Sequence, residues 1–273
     1  MCEQLQVSRS GFYAWRNRPV RTRRQEEEAR LKRHIEEIHQ ASRQTYGWRR
    51  IWPMLKRRSL SIGRDRLQRY MRELGVSGRI RRRFRRTTNS NHSLPLAPNT
   101  LDRCFEQAEP DRVWVSDITY IRTAEGWLYL AVVLDLFSRR VVGHSIRDHM
   151  RTELVLDALE AATGLRGAPE GLLFHSDRGV QYASREQQRW LKARKIRCSM
   201  SRKADCLDNA VAESFFGTLK QEFVHRTHFQ THEQARRAIY EWIEVFYNRT
   251  RIHSALGYLS PVEFEDQHHQ QAA

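Results

Sequence analysis

Asp117, Asp177 and Glu213 are the side chains whose types and spacing could do chemistry together. Asp117 interrupts the apolar run Trp-Val-Ser-Asp-Ile-Thr-Tyr, and Asp177 ends the run Leu-Leu-Phe-His-Ser-Asp. A carboxylate set into a sheet is costly to desolvate, so it demands a cation, a set of donors or a strand end open to water. Glu213 follows Asp177 after 35 intervening residues, and Lys220 lies two helical turns beyond it on the same face. Three carboxylates brought together by one sheet edge and one helix suit Mg²⁺ or Mn²⁺, which bind few protein oxygens and keep sites for water and phosphate. Two such ions would stabilise both the attacking and the leaving oxygen of an in-line phosphoryl displacement. Spacing alone does not separate this reading from three surface carboxylates, because residues 101–273 carry 24 acids.

The elements that must position these residues follow from patterning. β-Branched and aromatic residues predict strands over 112–121, 128–135 and 139–146, an antiparallel meander. A helix over 151–163, a strand over 172–177, a helix over 184–193 and a strand over 196–201 come next. Asp208 or Asp205 then caps a helix running to about Phe223, with Leu207, Val211, Phe215, Phe216 and Leu219 on its apolar face. A meander followed by strand–helix–strand alternation predicts an α/β chain with a mixed sheet and flanking helices. Thr231–Arg249 reads as one long amphipathic helix turning Ala235, Ile239, Trp242, Ile243 and Phe246 to a core. His175 has two readings, a group that orients a neighbouring carboxylate or water and a buried, hydrogen-bonded strand histidine.

Charge separates the chain into unlike parts. The formal charge is +16, yet residues 1–100 hold 25 Lys/Arg against 8 Asp/Glu, while residues 101–273 hold 23 against 24. So lopsided a balance favours a polyanionic partner. A serine in the stretch Val7-Ser8-Arg9-Ser10-Gly11 caps a short first helix that reads as the second half of a truncated helix-turn-helix, and residues 24–42 form an amphipathic helix. The stretch Tyr46-Gly47-Trp48-Arg49-Arg50-Ile51 opens a helix that must take Pro53 into its first turn or kink. The turn Ser61-Ile62-Gly63 leads to a second helix, Arg64–Leu74, stopped by Gly75. Its Arg64, Arg66 and Arg69 lie off the apolar face, so the pair reads as a DNA-contacting helix-turn-helix. The block RIRRRFRR adds Arg81, Arg82, Arg83, Arg85 and Arg86 as phosphate contacts. Residues 1–86 are thus a basic helical DNA-binding region, 87–105 a linker, 106–266 the chemical core and 267–273 a polar tail. The scattered cysteines make neither a disulfide framework nor a zinc site, no apolar run is long enough to span a membrane, and the expected compartment is the cytoplasm.

Five ordered motifs sharpen this: WVSDITY, LDLFSRRVVG, HSDRGVQY, DNAVAESFFGTLKQE and YNRTRIHSALGYLSPVEF. Together they resemble the integrase-type transposases of bacterial insertion sequences, specifically the second-frame products of the insertion-sequence-three family. The resemblance runs from the helix-turn-helix to residue 264. It implies a ribonuclease H-like core with a metal-binding catalytic triad at Asp117, Asp177 and Glu213, holding two Mg²⁺ or Mn²⁺ ions. It places Lys220 at the DNA and counts Asn209, from the Asp-Asn pair, with the DNA contacts. It implies element-end and target DNA as partners, a homo-oligomer on DNA, and fusion to or partnership with an upstream first-frame product. It marks Asp135 as a recurrent position outside the triad, and leaves Arg251 and His253 balanced between packing and DNA contact. Ala204-Asp205 departs from the family's usual glycine-containing pair, which implies a stiffer loop there. By residues alone, a non-catalytic DNA-binding regulator and a ribonuclease H-like nuclease also stay open.

Overall fold

Apolar positions at helical spacing bring three helices of the basic third onto one core. The computed structural model describes every residue except Met1, Glu3, Leu5, residues 18–22, 80–95 and 203–205, and Ala273, and no side chain at 206, 207 or 272. The chain divides into two compact units, residues 1–78 and 79–273. In the first, Ser8 Oγ accepts the Gly11 amide and starts α1 (Arg9–Arg16), which buries none of its side chains. Leu31, Ile35 and Ile38 of α2 (Arg23–Ala41) are buried with Ile51 and Leu55 of α3 (Trp48–Arg57) and Leu67, Tyr70 and Met71 of α4 (Arg64–Glu73). Pro53 is inside α3, one turn later than expected, so the Arg49 carbonyl lacks the amide four residues on. At the end of α4, Gly75 takes φ +66°, a left-handed conformation glycine adopts cheaply. Its amide donates to the Arg72 carbonyl, and the Val76 amide to that of Met71, so two terminal carbonyls are satisfied.

The second unit is an α/β fold around a five-stranded mixed sheet of order β3-β2-β1-β4-β5. β1 (Val113–Thr123), β2 (Gly126–Asp135) and β3 (Val141–Arg147) form the expected meander; β4 (Leu173–Ser176) and β5 (Arg197–Met200) run parallel to β1. α5 (Thr152–Arg166) and α7 (Arg185–Ala193) cover one face, burying Trp114, Ala131, Val133 and Phe174. Gly143 of β3 lets α5 approach, since a Cβ there would stand 2.2 Å from the Ala158 carbonyl oxygen. α8 (Ala210–Glu222) and α9 (His232–Glu241) cover the other face around Val115, Leu130, Phe215 and Trp242. The sequence pattern misses α6 (Val180–Ala183), a single turn after β4.

Three expectations need correction. The long helix over 231–249 widens into a π turn at Trp242–Tyr247, where the Asn248 amide reaches the Ile243 carbonyl. That turn presents the Asn248 side chain to β3, where it both donates to and accepts from the Val141 backbone, covering part of an edge strand. The polar tail is helical: α10 (Pro261–Ala272) runs into it, with the His268 ring 4.8 Å from that of Phe137. The last stretch of the linker is also packed, because Leu101 is buried and the Thr100 and Leu101 amides donate to Ser199 Oγ.

Asp135 ends β2 at the turn to β3. It accepts the Asp111 amide and both the amide and the hydroxyl of Ser138. The same hydroxyl lies 2.7 Å from Glu265 Oε1 on α10, although one hydroxyl proton can serve only one carboxylate. Burial opposes the charge on Glu265, but Ser138, Arg166 and Arg140 outweigh it and hold that carboxyl below its usual range. Asp135 goes the other way, pushed up from 3.8 to about 6 by burial against the donors of Ser138. Between those values the folded chain keeps a proton that the unfolded chain releases. The resulting stabilisation is full below about pH 3.8 and is lost as pH rises through about 6. The melting temperature of wild type minus that of Asp135→Asn should therefore fall across this window; a flat difference contradicts the assignment.

Candidate active site

β4 pairs with β1 only at Val113–Val115, so the next residues of β1 lie along an open edge. There Asn209 Nδ2 donates to the Ser116 carbonyl, and the Ile118 amide donates to Asp117 Oδ1. Asp117 is half-buried at this edge. Asp177 follows the end of β4, where its Oδ1 accepts the Gly179 amide at 2.9 Å. Glu213 stands exposed in the first turn of α8.

Burial raises the Asp117 carboxyl well above the usual carboxylate range, and the charges of Asp177 and then Glu213 raise it further. The Ile118 amide and the Lys220 ammonium oppose this and do not prevail. Lys220 is 6 % exposed, and burial draws its ammonium below the ordinary lysine value against the pull of Asp117. Its Nζ lies 4.5 Å from the Tyr120 ring centroid. Beneath the edge, Ser116 Oγ meets the buried Tyr182 hydroxyl at 2.9 Å. Among the described residues no three His, Cys, Asp or Glu side chains stand as a closed ligand set. Charge gathers here: Asp177 and Glu213 both act on Asp117, opposed by one desolvated lysine. A hard divalent cation fits that donor chemistry.

Other expected residues have different surroundings. Asn209 is 5 % exposed and faces β1. Asp208 does not cap α8, whose N-cap is Asn209; a short 3₁₀ turn over Cys206–Asn209 comes first. The Asp208 carboxylate accepts from Arg202, Arg103 and Asn99, and hydrogen bonds from Arg202 take its carboxyl far below the usual range. His175 is fully buried between Ser199 and Ser201 of the β5 side, and burial draws it down to about 4, the structural alternative of its two readings. Arg251 is buried, with Nε and Nη2 each 2.7 Å from the Glu222 carboxylate on α8, which is packing. No local signal marks that pair, which lies 29 residues apart. In the first unit Arg64 and Arg69 are exposed on α4, while Arg66 is half-buried and its Nε donates to the Tyr70 hydroxyl. Arg81, Arg82, Arg83, Arg85, Arg86 and the Ala204-Asp205 departure lie outside the described residues.

Comparison with known proteins adds independent findings. Residues 107–206 and 213–268 match the integrase core domain, and residues 25–84 match an HTH-like domain. The chain is 44 % identical over 273 residues to the uncharacterized 31 kDa protein of insertion element IS600 from Shigella sonnei, covering 100 % of both. It is 40 % identical over 272 residues to the transposase InsF of insertion sequence IS3A from Escherichia coli K12, covering 97 % of this chain and 93 % of that one. Among solved structures it is similar to the HTLV-2 integrase catalytic core domain in complex with magnesium, at 18 % identity and TM-score 0.44, covering 58 % of this chain and 98 % of that one. A simian T-cell lymphotropic virus intasome chain is similar at 19 % identity and TM-score 0.49, with 65 % and 60 % covered. No helix among the described residues is long and apolar enough to cross a membrane.

Proposed function

Because the chain belongs to the integrase-core transposases of the insertion-sequence-three family, we propose that Asp117, Asp177 and Glu213 are its catalytic carboxylates. The protein is a metal-dependent DNA transposase that cleaves and joins strands at the ends of an insertion sequence. Water hydrolyses a phosphodiester at the element end and frees a 3′-hydroxyl, which then attacks a phosphodiester of the target and displaces its 3′-oxygen. No covalent enzyme–DNA link is needed. What supports the site assignment is placement: Asp117 on the open edge of β1, Asp177 just past the end of the neighbouring β4 and Glu213 in the first turn of α8, with the charges of Asp177 and Glu213 both acting on Asp117.

Mg²⁺ or Mn²⁺, two ions in our reading, would be held by these three side chains and would supply stabilisation of charge building on the phosphate oxygens. The remaining residues prepare that site. Asn209 ties the start of α8 to the Ser116 carbonyl, which fixes the strand beside Asp117. The Lys220 ammonium acts on Asp117, and it faces DNA phosphate once the carboxylates have other partners. Arg64, Arg66 and Arg69, with Arg81, Arg82, Arg83, Arg85 and Arg86, hold the DNA backbone in a salt-dependent way. We further read the working form as a homo-oligomer on DNA in the bacterial cytoplasm, joined to or partnered with an upstream first-frame product.

A duplex bearing the element's own terminal repeat tests this. In Mg²⁺ or Mn²⁺ it should be nicked at the element end, and a pre-cleaved end should be joined to a second duplex; chelating the metal should stop both. Binding without metal-dependent nicking would identify a regulator. Cutting of RNA–DNA hybrids without joining would identify a plain nuclease.

A further inference from the structure

The β1–β2 hairpin carries an aromatic face that the chemistry above does not use. Its register sets Tyr120 opposite Tyr129 and Arg122 opposite Trp127, so all four side chains share one face. Lower on the same face, Trp114, Ala131 and Val133 are buried with the α5 core. Towards the hairpin turn that cover ends, and Tyr120 is 42 % and Trp127 48 % exposed. Their ring centroids are 5.2 Å apart at an interplanar angle of 87°. An edge-to-face pair consumes one face of one ring at most and leaves flat aromatic surface in water. Arg122 is exposed beside them.

Asp117 precedes Tyr120 by three residues, roughly 10 Å along the strand, and points to the opposite face of β1, so the aromatic face reaches the candidate active site around the open edge that β4 leaves unpaired. Lys220 links the two, with its Nζ 4.5 Å from the Tyr120 ring centroid and its charge acting on Asp117. Aromatic rings flanked by cations suit one ligand chemistry above others, the unpaired nucleobase with its adjoining phosphate, because every base offers a π-face and every link a negative charge. We infer that Tyr120 and Trp127 stack unpaired bases of the DNA end beside the scissile phosphate, with Arg122 and Lys220 taking the neighbouring phosphates. The inference rests on the reading of Asp117 as part of the active centre.

The test compares two labelled forms of the element-end duplex, one blunt and one with a short unpaired tail at the cleaved end, by fluorescence anisotropy with the full chain. Stacking one base corresponds to about a tenfold preference for the tailed form in wild type. Trp127→Ala should bind both forms alike, while Trp127→Phe should keep most of the preference. A 2-aminopurine in the tail should be quenched by wild type and not by Trp127→Ala. The preference should also persist as added salt weakens both complexes, because stacking is not ionic. A Trp127→Ala chain that keeps the preference and the quenching overturns the inference. So does one that keeps both while changing oligomeric state, since the face would then be a contact between copies. Metal-dependent nicking of the blunt duplex is read in parallel. Nicking by wild type with an unchanged tail preference in Trp127→Ala discards the stacking face alone, whereas absence of nicking in wild type discards the active-centre reading and this inference together.

Discussion

Asp117→Asn should bind element-end DNA with near wild-type affinity and fail to cut it. Asparagine keeps the shape of the side chain and an oxygen for the Ile118 amide, so the β1 edge is preserved. What disappears is a negative charge that the fold holds at a cost, beside Asp177 and Glu213 and against burial. Losing a metal-binding oxygen removes several kcal/mol of transition-state stabilisation, or about a thousandfold in nicking rate. The same change relieves repulsion, so the melting temperature of the metal-free variant should equal or exceed that of wild type. Nicking kinetics, anisotropy and thermal melting on one preparation separate these effects. Nicking within about tenfold of wild type would remove Asp117 from the reaction, and a large drop in melting temperature would show that its role is structural.

Arg251→Ala should produce the largest loss of stability. Arg251 and Glu222 form a two-pronged pair with both side chains almost wholly removed from water. Truncating the arginine takes its two-pronged partner from a buried carboxylate, a change that costs about 3–5 kcal/mol out of a total that for ordinary domains is about 5–15 kcal/mol. Glu222 ends α8, the helix that also carries Glu213 and Lys220, so nicking should fall along with the denaturation midpoint. Replacing both partners, as Arg251→Met with Glu222→Met, should recover much of the stability, because no charge is left unpaired. If Arg251→Ala unfolds at the wild-type denaturant concentration but loses DNA affinity, the residue is a DNA contact instead.

This pair shows where the sequence stops being informative. The strands and most helices around the site are legible because each has a local signature: β-branched runs in β1 and β2, helical spacing in α5 and α8. The three candidate carboxylates stand out in the sequence because two interrupt or end apolar strands and the motifs around them are specific. Partners distant along the chain leave no such mark. Asp208 has the appearance of a helix cap, yet its carboxylate is taken by Arg103 and Asn99 from the packed end of the linker as well as by nearby Arg202. The Gln/His-rich end has the composition of a loose tail, but Glu265 pairs with Arg140 and Arg166 and draws the helix onto the sheet. The π turn is hidden because its apolar spacing serves a wide turn nearly as well as an α-helix. Lys220 is singled out by spacing, whereas its burial and the place of its Nζ over the Tyr120 ring come from packing that no property of Lys220 announces.

The central claim is that three carboxylates from two strands and one helix form a single metal-requiring centre. Calorimetric titration of Mn²⁺ into the full chain bound to its element-end duplex tests it most directly. Wild type should bind the ion, and Asp117→Asn, Asp177→Asn and Glu213→Gln should each lose most of that binding while still holding DNA. Undiminished Mn²⁺ binding in all three variants would contradict the claim and move the metal elsewhere.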